Sequence, residues 1–272
     1  MQFLYDGAWN KRFHTGYAAM NGLIAATAAA EGQRGAAQAL EGQAGFLHAY
    51  SPAAQVERVT TSLGTEFETL SIAVKPYPAC RYSHAALDAL IGLAEQYDID
   101  ANDVSAVEVG LPSTGHKIIG EPLSAKQRPH NIVDGQFSMP FVGAVALRER
   151  GLAWDDYARH LSNPATLALC KKIRTVVDPA VEAEYPSNMS ASVRVDTSGN
   201  RYEQLVVVPK GEPSNFMSDA ELLNKFGLLV DPYLDHAQRD KLSTTLLLLD
   251  HAENITELLA LSCPPTQARS HS

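Results

Sequence analysis

The sequence predicts an α+β protein in which a mixed α/β segment is inserted into a helical domain assembled from both ends of the chain. Three observations carry this reading. Apolar residues recur at helical spacing near the N-terminus and again after Pro213, while between them the period shortens to two in several brief runs. These runs place the helical domain at residues 1–66 and 213–263, the mixed domain at 67–212 and a disordered tail at 264–272. With 45% hydrophobic and 19% charged residues among 272, the chain can bury a core and carries too little charge for a disordered polyelectrolyte.

Over residues 15–31, Ala19, Met20, Leu23, Ile24 and Ala28 recur at helical spacing among strong helix formers. So many small residues, Gly22 included, predict a buried helix that neighbouring backbones approach closely. A short helix is read over 35–39 and a connection over 51–65. Residues 67–74 alternate towards a strand that ends at Lys75-Pro76-Tyr77-Pro78. A helix over 82–97, a strand over 104–109 and a long helix over 133–149 follow. Strands are then expected at 173–177, 191–195 and 204–208, the last two flanking Ser198-Gly199-Asn200, which suits a hairpin turn. Helices return at 220–226, 236–249 and 251–261.

Composition narrows the function. The formal charge is -9, and Lys171 and Lys172 are the only adjacent lysines. Nucleic-acid binding rests on clustered cations that release counterions, so it is not expected. Cys80, Cys170 and Cys263 are odd in number and far apart, which reads as reduced thiols of an intracellular protein. No run approaches the roughly 20 apolar residues of a membrane span. The first residues also lack the charged and apolar regions of a signal peptide, so a soluble, unsecreted chain without a membrane partner is expected. The histidines show no HxH or HExxH spacing and no CxxC occurs, so no metal site is expected; GxGxxG, GxxxxGK[ST] and GxSxG are likewise absent.

Two clusters carry chemistry. In Lys11-Arg12-Phe13-His14-Thr15-Gly16, cations and an imidazole stand just ahead of a helix. Such a place favours anions, and His14 can move a proton near neutral pH; the competing reading is a helix cap beside a solvated lysine. In Lys75-Pro76-Tyr77-Pro78-Ala79-Cys80-Arg81-Tyr82-Ser83-His84, Pro76 biases Lys75 towards an extended backbone, a stiff mount for a binding residue. Here the competing reading is a proline-rich turn with ordinary surface cations. Lys210, in Pro209-Lys210-Gly211-Glu212-Pro213, is an edge cation or a solvated turn residue.

Taken in order, the blocks from Asp6 to Gly16, Lys75 to Ala86, Gln136 to Phe141 and Pro209 to Gly211 resemble the MmgE/PrpD family, which includes 2-methylcitrate dehydratase, cis-aconitate decarboxylase and iminodisuccinate epimerase. The resemblance implies a large helical domain with a smaller α/β lid, homodimers, and catalysis without metal or organic cofactor. It maps Lys11, His14 and Lys75 as catalytic residues, and Lys11, Lys75, Tyr77, Arg81 and His84 as contacts to a small polycarboxylate substrate. The implied chemistry is dehydration of a 2-alkylcitrate or decarboxylation of a cis-aconitate-like acid, with epimerisation a third possibility. At Phe141, relatives such as cis-aconitate decarboxylase have a tyrosine in the site. Family members are much longer, and the first block lies close to Met1. The expectation is therefore a truncated or split member that associates with itself or with a separately encoded N-terminal half. A noncatalytic subunit is the alternative. The expected compartment is the cytoplasm, or the mitochondrion if a preceding part carried a transit peptide.

Overall fold

The computed structural model describes residues 6, 8–252 and 254–264. Of the expected tail at 264–272, residues 265–272 lie outside them. The chain divides into two compact units, one up to Ile72 and the other from Ala73 onward, so residues 213–264 group with the second.

In the first unit, helix α1 (Asn10–Ala30) is followed by the short α2 (Phe46–Tyr50) and by 3₁₀ turns at Val56–Val59 and Glu68–Ser71. The helix expected at 15–31 forms and is longer than expected, but it is not buried: none of its residues is enclosed, and an added Cβ at Gly22 would meet nothing within 4 Å. Alanine-rich segments form helix through backbone propensity alone, so helicity and burial separate here. Residues 35–39 form irregular backbone and a turn rather than a helix, in a stretch broken by Gly32, Gly35 and Gly42. The strand expected at 67–74 is also replaced, by the turn at Glu68–Ser71. Alternation makes a strand only where a ladder partner exists. Among the described residues, Val74 is the one member of this run whose backbone bonds to a distant segment, its N–H donating to Gly211 O at 2.8 Å.

The second unit is built on a four-stranded mixed sheet of order β2-β1-β3-β4, comprising β1 (Val104–Leu111), β2 (Ile173–Val177), β3 (Ala191–Thr197) and β4 (Arg201–Val206). β1 runs parallel to β2 and antiparallel to β3, and β3 and β4 form the expected hairpin about residues 198–200. Helices α3 (His84–Gln96) and α5 (Met139–Glu149) pack on the sheet, α3 against β3 and β4 and α5 against β2. The core lies between them. Leu87 and Leu90 of α3 and Phe141, Val142 and Val145 of α5 are sealed with Val107, Val109, Ile173 and Val195 of the strands. Glu108 points the other way and pairs with Arg174 and Arg194.

The single helix expected over 133–149 is two. The short α4 (Ile132–Gln136) ends before Ser138, whose hydroxyl accepts from Phe141 N and starts α5 with a proline in its first turn. Pro140 tolerates a helix start but not an interior, which fixes the break. Beyond α5 lie α6 (Asp156–His160), α7 (Pro164–Cys170) and α8 (Pro179–Glu184). The C-terminal helices are α9 (Asp219–Val230), α10 (His236–Leu247) and α11 (Thr256–Leu261). A capping box of Ser218 and Glu221 opens α9, and Asp235 caps α10. Among the described residues no helix is long and apolar enough to cross a membrane.

Candidate functional site

The segment leading into α3 is held from three directions. Gly211, at φ +87°, brings its loop against the end of the run: a Cβ there would stand 1.9 Å from Val74 O. Only glycine allows this approach. Tyr77 donates its hydroxyl to Asp88 Oδ1 at 2.7 Å, and Asp88 Oδ2 accepts from Lys210 N at 2.7 Å. Arg81 pairs with Glu212 and donates to Lys210 O at 3.4 Å. Beneath, Pro78 O accepts from Tyr157 Oη at 2.9 Å and from Gln136 Nε2 at 3.1 Å. The loop at 209–212 and the start of α3 are therefore one rigid mount for Lys75, whose ammonium donates to Ala79 O at 3.0 Å.

This mount borders an open cleft of about 660 Å³ within the second unit. Lys75, Tyr77, Lys210 and Lys225 line it together with Asn224, Arg159, Glu149, Asp156 and Glu221, and Leu152, Trp154, Met217, Leu228 and Leu229 supply apolar wall. Lys210 pairs with Glu221 at 2.9 Å, and Arg159 pairs with Asp156 and, at 3.4 Å, with Glu149. The backbone donor of Ser218 and then Lys210 hold Glu221 down at about 2, so it stays a carboxylate. Partial burial lowers the pKa of Lys225, and an anion beside it would relieve that cost. The cleft can thus hold a carboxylate-bearing ligand with a hydrocarbon part. Among the described residues its lining includes no histidine.

Of the sequence-expected residues, Lys75, Tyr77, Arg81 and His84 come together, and Lys75 and Tyr77 reach the cleft. His84 has no exposed surface; its Nε2 is 3.4 Å from Ala79 O and its ring 5.4 Å from that of Tyr77. Burial, with Arg81 and Lys75 adding to it, pushes its pKa down to about 3. Lys11 and His14 lie on α1 of the first unit, both exposed. Phe141 is fully buried against Tyr157, at 5.9 Å between ring centroids. Sequence reasoning missed Lys225, Asn224 and Arg159. Lys225 stands four residues after Glu221 and reads as one half of a surface helix pair, but Glu221 turns to Lys210 instead.

The second unit is thus an α+β body in which a lysine mounted at a proline-stiffened turn borders a cleft with further cations and an apolar wall. The chain belongs to the MmgE/PrpD family: the family's C-terminal domain matches residues 77–250 and its N-terminal domain residues 1–59. It is 27% identical over 269 residues to the cis-aconitate decarboxylase-like protein oryM of Aspergillus oryzae, covering 92% of this chain and 54% of that relative. It is 25% identical over 277 residues to a cis-aconitate decarboxylase of Aspergillus terreus, covering 95% and 56%. The chain spans about half the length of the curated relatives it matches.

Proposed function

We propose that this chain is the substrate-binding part of a cofactor-independent lyase for citrate-type tricarboxylates, acting by dehydration of a 2-alkylcitrate or decarboxylation of a cis-aconitate-like acid. The observation that carries this reading is the match to cis-aconitate decarboxylase across 95% of the chain. The cleft supports it, because Lys75 and Lys225 offer ammonium groups to carboxylates beside an apolar wall. In either reaction negative charge develops next to a carboxylate, and lysines fixed before the reaction stabilise it without reorganisation. Lys11 and His14, on the first unit, keep in this reading the roles that the family resemblance gives them, a catalytic, substrate-binding cation and a proton-transfer group. Tyr77 and Arg81 position the mount, and His84 acts from beneath it.

A second reading has the chain as a noncatalytic or split-enzyme subunit, with a homodimer partner or a separately encoded N-terminal half. Proton NMR of the purified chain with citrate, 2-methylcitrate and cis-aconitate separates the two. A new vinyl signal that is lost in Lys75→Ala is the expected result for a self-sufficient lyase. No turnover by folded protein with any of the three acids would sink that version and favour the split subunit.

A further inference from the structure

Independently of the lyase reading, we propose that Glu149, Asp156 and His160 form a binding site for a divalent first-row transition ion at the rim of the cleft, and that the ion displaces Arg159. Asp156 and His160 are four residues apart on α6 and so share a face, while Glu149 is the last residue of α5. One ligand atom from each lies within 4.8 Å of the other two. His160 is 3% exposed, and its Nδ1 sits 2.7 Å from Thr166 Oγ1, which fixes the ring. Its Nε2 is aimed at Glu149 Oε1, 3.1 Å away, yet makes no hydrogen bond there.

In the tautomer whose Nδ1–H donates to Thr166 Oγ1, the buried Nε2 turns its lone pair towards a carboxylate oxygen, an unfavourable arrangement of two lone-pair donors. A cation between them turns it into two coordinate bonds. Nitrogen and oxygen atoms held about 2.0–2.2 Å from one ion stand about 3.0–3.5 Å apart, which matches this pair. The backbone N–H of Ala153, 2.6 Å from Asp156 Oδ2, orients the third ligand. One imidazole with two carboxylates suits zinc, manganese or iron in the divalent state. The guanidinium of Arg159 already bridges the two carboxylates, but its side chain is 59% exposed and free to swing outward. Glu149 and Asp156 both line the cleft, so the remaining coordination positions of the ion face the ligand space.

Zinc titrated into the full chain by isothermal calorimetry tests the site, with the absorption bands of cobalt as a second readout. One ion per chain is expected, bound at least about tenfold more weakly by His160→Gln and more tightly by Arg159→Gln. Circular dichroism establishes that each variant is folded; if His160→Gln is not, Glu149→Gln takes its place. The proposal is overturned if the unmodified chain binds no ion, if removing the ligand leaves affinity unchanged, or if Arg159→Gln binds no more tightly. Arg159 would then be the permanent counter-charge of the two carboxylates.

Discussion

At His84, burial and neighbouring cations act in the same direction. The group has a pKa of about 3 in the folded chain against 6.5 when free, so between those values the unfolded chain holds a proton that the folded one refuses. Its contribution to stability is complete above about pH 6.5 and is lost as the pH falls towards 3. Urea unfolding at several pH values should show this decline, and His84→Gln should flatten it; an unchanged slope in the variant would place the effect elsewhere. Tyr77 tests the mount from the other side. Burial raises the pKa of Asp88, and the Tyr77 hydroxyl and the Lys210 amide compensate its carboxylate. Tyr77→Phe should therefore cost about 1–3 kcal/mol in denaturant unfolding, and a loss below experimental error would show that water replaces the hydroxyl. The sequence revealed Lys75, Tyr77, Arg81 and His84 as a cluster because they are neighbours along the chain. It did not reveal that His84 turns inward among Ala79 O, Arg81 and the ring of Tyr77, since adjacency along the chain carries no direction.

Among the elements, the loop at 209–212 has the most exacting requirement. Gly211→Ala forces a side chain into a left-handed backbone and against Val74 O, and should lower stability by at least about 2 kcal/mol. Gly199→Ala, where a Cβ meets nothing within 4 Å, should stay within about 0.5 kcal/mol. Equal midpoints for the two variants would refute this account of the mount. Strands 104–109 and 173–177 and the hairpin were legible because alternating apolar residues found partners in the sheet. The run at 67–74 alternates equally well, but period-two patterning carries no information about whether a ladder exists. Helix 15–31 was legible as a helix and misread as buried for the related reason that alanine favours the conformation without requiring an apolar neighbour.

On the scale of the whole molecule, the apolar side chains left in solvent stand out. Trp9, Phe13, Tyr17, Leu23 and Ile24 of the first unit are exposed, and so are Leu228, Leu247 and Leu259 in the C-terminal helices of the second and Tyr233 in the turn between two of them. Faces of this kind favour association. Light scattering across a concentration series should show self-association of the isolated chain, and a monodisperse monomer at high concentration would count against it. Composition and periodicity revealed the α+β class and the order of helical and mixed segments. They carried no signal that residues 213–264 group with the unit from Ala73 onward, which depends on which segments touch. The clasp between the Lys75 turn and the 209–212 loop has a kinetic side as well. Arg81 and Glu212 are 131 positions apart, so their encounter closes one of the longest loops in the second unit. Contacts of such separation form late in folding. The Val74 amide, held by Gly211 O, should accordingly be among the last to become protected in pulse-labelling hydrogen exchange, with the β3–β4 hairpin protected well before it.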